Sequence, residues 1–395
     1  MRRLLRTIGM AGLAMLLTAV AASAQAPAFV YNTIPPDAPD IQHTAMVAGD
    51  AVIALQQSDF AALESMSARY RSTQSRTPAG EWDLAYFYQA FDVDRSGDFP
   101  REIQAAAALQ AKAEHWAAAY PASPAARIAV ARLMIVQGEL CACEAQHGNR
   151  QRDWRQAQGH FEDARRYLMA HRDVAGGDPG WYAAMLQVAL GEGWTRAAYL
   201  PVLEEGLSRF PDYYDLYDEA AFLDTPYRGG SVDDLDGLVR RAVAATKDEE
   251  GTGAYARIYG RLGRRTYGNG LGLFVGTRAT WDRLAAAYGD LVAAHPDPRL
   301  YSEFFFYACL AGDRPRAAQA AAQAGEASTF YRIWPVAADF ERCRAWAAGT
   351  DASPSPLQQV PLPAGIIPAD PAAAPRPALL ETFARWLLAV LEFLF

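Results

Sequence analysis

Lysine is almost missing from this chain: Lys112 and Lys247 are the only two among 37 basic residues, and arginine carries the rest. Acidic residues number 45 and the formal net charge is −8, so nucleic acid and anionic membrane surfaces are poor candidates for the main partner. Histidine is scarce too, with six scattered copies, and neither a His-Glu-x-x-His helix nor a Gly-x-Ser-x-Gly elbow occurs. The motifs of zinc peptidases and of serine hydrolases are therefore lacking. Sustained apolar–polar alternation is also absent between residues 43 and 348, which predicts an all-α fold.

The N-terminus has Arg2, Arg3 and Arg6, an apolar run from Ile8 to about Ala22, and the small residues Ala22-Ser23-Ala24. This pattern predicts a secretory signal over residues 1–24, its apolar run shorter than the ~20 residues that span a bilayer. Loss of the three arginines leaves 34 basic against 45 acidic residues, a net charge of −11. Export places Cys141, Cys143, Cys309 and Cys343 in an oxidising compartment. Cys141 and Cys143, two apart on a helix, point about 200° from one another and are not expected to bond together. Cys309 with Cys343 is the pairing to test; the alternative is that all four are buried thiols acting as small apolar residues.

After a proline-rich leader at 25–42, helix signals recur from 43 to 349. The stretch Asp178 to Gly230 is the clearest. Asp178-Pro179 is a capping residue followed by a proline in the first turn, Gly191 and Gly193 end that helix, and a second helix runs from Arg196 to Arg209 before Phe210-Pro211. Such an αα-hairpin has apolar residues on two sides and must stack on neighbours to bury them. Ala119-Tyr120-Pro121 and Ala294-His295-Pro296 repeat the same break, and each resembles the end of a tetratricopeptide unit. A one-dimensional array also fits a length beyond a single ordinary core. The expected fold is all-α: tetratricopeptide-like αα-hairpins stacked into a solenoid.

Several blocks in order, GEWDLAYFYQAF, DPGWYAAMLQVALGEGW, RFPDYYDLYDEAAFL, GAYARIYGRL and FFFYACLAGDRPRA, resemble the bacterial family known as domain of unknown function 4034, over residues 45 to 330. The resemblance implies a tetratricopeptide-like helical domain and brings no activity, cofactor or catalytic residue. The chain departs from it at Tyr227-Arg228, where an Arg-Trp pair is expected.

Candidate sites are few. Asp92, Asp94, Ser96, Gly97 and Asp98 fall at positions 1, 3, 5, 6 and 7 of an EF-hand loop, but position 12 is Ile103 and Glu102 comes one residue early. The expectation is an inter-helix turn with Asp98 as cap and no metal. Gly268, Gly270, Gly272 and Gly276 follow a helix, not a strand, and read as a connector, with no cofactor expected. Asp233, Asp234 and Asp236, and Asp248, Glu249 and Glu250, are expected at or just before helix starts, where the dipole favours negative charge. Trp194, Tyr214, Tyr227 and Arg228 are the candidate binding residues, because tyrosine, tryptophan and arginine suit recognition surfaces; Tyr213 and Tyr217 fall at core spacing.

Residues 350–378, rich in proline and alanine, predict an extended linker. Residues 379–395 predict an amphipathic helix with Glu381, Arg385 and Glu392 in one arc of about 40°, able to lie on a membrane, dock on a partner helix, fold back on the last hairpin, or span. The composite expectation is an exported, periplasmic scaffold that binds a protein or peptide partner in the cell envelope along a concave face. Two alternatives stand beside it: an envelope glycan or peptide hydrolase using a carboxylate pair such as Asp233 and Asp234, and an envelope-tethered structural protein acting through residues 379–395.

Overall fold

The computed structural model describes residues 38–369 apart from 94–96, 148–149, 326–332, 335 and 350–352. The signal at 1–24, Asp94, Ser96 and the helix expected at 379–395 lie outside the described residues. Among the described residues there are 17 α-helices and no strand, so the fold is all-α. The described residues open with α1 (Pro39–Gln57), α2 (Phe60–Thr73) and α3 (Asp83–Gln89). They continue with α4 (Phe99–Ala119), α5 (Pro124–His147), α6 (Arg150–Ala170), α7 (Arg172–Ala175), α8 (Pro179–Glu192) and α9 (Arg196–Arg209). Then come α10 (Tyr214–Leu223), α11 (Val232–Glu250), α12 (Gly253–Thr266), α13 (Leu273–Gly276) and α14 (Trp281–Ala294). The last are α15 (Pro298–Ala311), α16 (Arg314–Ala324) and α17 (Ala337–Ala348).

Local chemistry sets many of these ends. Asp178 caps α8 by accepting a hydrogen bond from Gly180 N at 2.8 Å, Pro179 occupies the first turn, and Gly193 ends the helix at φ 69°. The start of α15 repeats the device: Asp297 accepts from Arg299 N at 2.8 Å ahead of Pro298, and Gly312 stops the helix at φ 76°. Asp248, Glu249 and Glu250 form the last turn of α11, which runs further than expected, just before α12 begins at Gly253.

Helices α5, α8, α10 and α12 lie side by side in a row. Each following helix bridges two members: α6 touches α5 and α8, α9 touches α8 and α10, and α11 touches α10 and α12. Helix α14 continues the pattern from α12 to α15. Buried side chains from both layers, including Trp181, Tyr182, Tyr217, Tyr259 and Tyr288, merge into one core.

The start of the chain lies across this row. Arg71 and Tyr88 both reach Asp178 at the head of α8, each at 2.8 Å, and Trp82 Nε1 donates to Asp212 at 3.1 Å. Further along, Arg257 Nη2 of α12 donates to the Ala79 carbonyl at 2.7 Å, and Arg299 Nε of α15 to Asp40 at 2.7 Å. One segment of some fifty residues, at 40–88, thus touches the row from α8 to α15.

Residues 353–369 differ from the extended linker expected at 350–378. They fold back along the helices because their few apolar residues find seats: Leu357 is buried, and Ser355 caps a short 3-10 turn at Pro356–Gln359. Ala369 N then donates to Val275 O at 2.8 Å and Ile367 N to the Tyr227 hydroxyl at 2.9 Å. The glycines of the 268–276 connector serve this passage, since a Cβ on Gly268 would overlap Pro363 and one on Gly272 would lie 2.7 Å from Ile366. A disulfide between Cys309 and Cys343, with Cα atoms 6.1 Å apart, ties α15 to α17.

Candidate functional site

Asp215, Asp218, Glu219 and Phe222 are spaced i, i+3, i+4, i+7 and share one side of α10, where only Phe222 packs against the apolar core. The adjacent α12 presents Arg257, Arg261, Arg264 and Arg265 at a similar spacing. A carboxylate row therefore faces an arginine row. Arg261 pairs with Asp218 and with Glu81 of the N-terminal segment, and lies 4.0 Å from Asp215. Arg265 meets Glu219 at 3.0 Å, and Gln187 of α8 donates to the other oxygen of Glu219 at 3.2 Å. Arg264 reaches Glu303 of α15 at 3.1 Å.

Glu81 is the hub. Beyond Arg261 it has Arg257 and Arg299 each at 3.7 Å, and it accepts a hydrogen bond from Tyr86. Burial alone would raise its pKa, but Arg261, Arg299, Arg257 and the Tyr86 hydroxyl outweigh burial and hold it well below the usual carboxylate range. The two carboxyls of α10 go the other way. Burial, only partly offset by Arg261, pushes Asp215 up to about 6 and Asp218 up to about 7, and neighbouring carboxylates add to the rise. Their side chains are still 22% and 11% exposed, so these groups sit deep among protein atoms yet meet solvent. Such a pair can exchange a proton near neutral pH.

The residues singled out from sequence fall in different places. Tyr214 is not a surface residue: it is 4% exposed, its hydroxyl donates to Glu250, and Arg257 lies 4.8 Å from its ring. Helix α10 is covered by both α11 and α12, so it buries more than the single stripe that holds Tyr213 and Tyr217. Trp194 is half-buried and donates to Glu192 at 2.6 Å. Tyr227 is half-buried, its ring edge-on to Tyr267, and Arg228 beside it is exposed, its guanidinium 5.0 Å from the ring of Phe222. Asp92 meets Arg132 at 3.3 Å, while Asp98 caps α4 and Glu102 turns back to accept from Gly97 N at 2.8 Å. Among the described residues no group of His, Cys, Asp or Glu is arranged to hold a metal ion. Asp233 and Asp234 are engaged separately, Asp233 by Arg278 at 3.1 Å and Asp234 by Ser231 at 2.6 Å and Arg196 at 3.3 Å. Cys141 is buried and Cys143 half-buried.

Glu81, Asp215, Asp218 and Arg261 were not recognised from sequence, although the signal is present. Asp-x-x-Asp-Glu-x-x-Phe at 215–222 and Arg-x-x-x-Arg-x-x-Arg-Arg at 257–265 each put charge on one helical side. Among the described residues no helix is long and apolar enough to cross a membrane. Compared with family models, curated proteins and solved structures, the chain matches none.

Proposed function

We propose that this chain is an exported, periplasmic scaffold, as its N-terminal signal pattern suggests, built of the tetratricopeptide-like hairpins that its resemblance to domain of unknown function 4034 implies, and that it binds a protein or peptide of the cell envelope. The carrying observation is the charged side of α10 and α12, where ion-paired but solvent-reaching groups line adjacent helices instead of closing into the core. A surface of this kind offers many polar contacts to an extended partner at low cost in stability. The disulfide joining α15 to α17 supports an oxidising compartment. Photo-crosslinkers at positions 219 and 265 test the reading, with positions 204 and 241, the Glu204–Arg241 pair of α9 and α11, as controls. Envelope adducts from the first two and not the controls are expected; equal labelling from all four removes the reading.

A hydrolase remains the second reading, with its carboxylate pair at Asp215 and Asp218 in place of Asp233 and Asp234. It is favoured by the raised pKa values of those two groups, which suit acid–base work near neutrality. Turnover of envelope glycan or peptide by the full chain, lost in both Asp215→Asn and Asp218→Asn, is the expected result; turnover that survives both substitutions rejects it.

A further inference from the structure

We propose that Arg228 and Arg265, gathered at the ring of Phe222, form a binding site for a carboxylate group of a peptide partner. Arg265 approaches the ring to 4.2 Å and Arg228 to 5.0 Å, so two like charges share one aromatic side chain. Arg265 has Glu219 at 3.0 Å. The guanidinium of Arg228 has no acidic partner and no hydrogen-bond acceptor among the described residues, which leaves the locality one positive charge in excess. By contrast Arg196 and Arg261 each have a carboxylate within 4.0 Å. Partial burial, and then the charge of Arg265, act against the charged form of Arg228, and an incoming anion offsets the second of these.

The arginine is also held in place. It ends the 3-10 turn Pro226–Arg228, which closes on Gly229 at φ 86°. Gly230 then passes so close to the backbone of Asp224 that no side chain fits there, and Asp224 is itself fixed by Arg196 and Tyr199. On the other side the Tyr227 hydroxyl is engaged by Ile367 N and its ring by Tyr267. A backbone already fixed leaves only side-chain freedom to be lost on binding. Planar guanidiniums match the two oxygens of a carboxylate, and the ring of Phe222 with the half-buried Tyr227 offers apolar surface for the carbon stem that carries it.

The proposal rests on the reading of this face as protein-binding, but its test stands apart from the crosslinking. The full chain is titrated calorimetrically with acetyl-Gly-Glu-Glu-Gly-amide, with the glutamine counterpart, and with inorganic phosphate. The glutamate peptide is expected to bind at least about tenfold more tightly than the glutamine one, as charge-assisted bonds require. Arg228→Ala should weaken it by about tenfold or more with the melting temperature unchanged, and Arg228→Lys should restore only part, since lysine lacks the planar fork. Equal affinity for the two peptides, no binding of the glutamate peptide, or wild-type affinity in Arg228→Ala overturns the proposal. Tighter binding of phosphate than of the glutamate peptide overturns the carboxylate assignment. Should position 219 fail to crosslink while the titration succeeds, the protein-binding reading falls and the anion site stands; the converse result removes the site alone.

Discussion

Asp215 and Asp218 tie the charged face to pH. Their ordinary value is 3.8, and the folded chain holds them at about 6 and about 7, so it keeps protons that the unfolded chain releases. The stability this linkage gives is full below about pH 4 and is lost as pH rises through 6 to 7. Asparagine imitates the protonated acid. Asp218→Asn should therefore flatten the fall in melting temperature between pH 5 and 8, and at pH 8 be no less stable than the native chain; a scan with the native slope would refute this. Glu81 has the opposite sign, since its carboxylate is held below the ordinary range and its contribution disappears only in strong acid. Replacing it as Glu81→Gln removes the carboxylate that Arg257, Arg261 and Arg299 share and leaves Glu250, Asp218 and Asp40 to balance them, a loss of about 1–3 kcal/mol in urea unfolding. Arg278→Ala, which removes an exposed pair with Asp233, should leave the urea midpoint unchanged.

Elements were legible in the sequence wherever their ends are set locally. Asp178-Pro179 and the breaks at Pro121, Pro211 and Pro296 are visible because a cap and a proline act on the residues next to them. The burial of Tyr214 was not, because periodicity within one helix does not report how many neighbours cover it. Nor was the return of residues 353–369, since proline content describes the isolated chain and not the seats that Gly268 and Gly272 leave open at a distance. That seat makes a prediction at the same scale. Gly268 has φ 59°, so Gly268→Ala is strained by its own backbone and also meets Pro363. The returning segment should come loose while the helices stay folded. Limited proteolysis should then cut between residues 360 and 369 in the variant and not in the native chain, with an unchanged helical circular dichroism signal.

At the scale of the molecule the main feature is that the chain's beginning is fastened to helices far along it. In an open array each unit touches its neighbours only, and unfolding can spread piecewise from either end. Here Asp40 meets Arg299, 259 positions away, and Glu81 meets Arg261, 180 positions away. Nothing in local sequence announces a contact of that separation; it is fixed by which helices come to lie beside one another. Ala79 and Glu81 cover Arg257, which is buried, while Arg265 on the same helix stays partly exposed. Such closure couples the first and last thirds of the described chain. The native protein should therefore melt in a single transition, with calorimetric and van't Hoff enthalpies equal. Arg299→Met withdraws the cation shared by Asp40, Glu81 and Glu303 and should uncouple the two parts. Hydrogen exchange of the variant should then quicken in α1 to α3 while α5 and α6, which pack on each other, keep their protection. Equal acceleration in all five helices would show that the N-terminal segment is an inseparable part of the core and not a strap held across it.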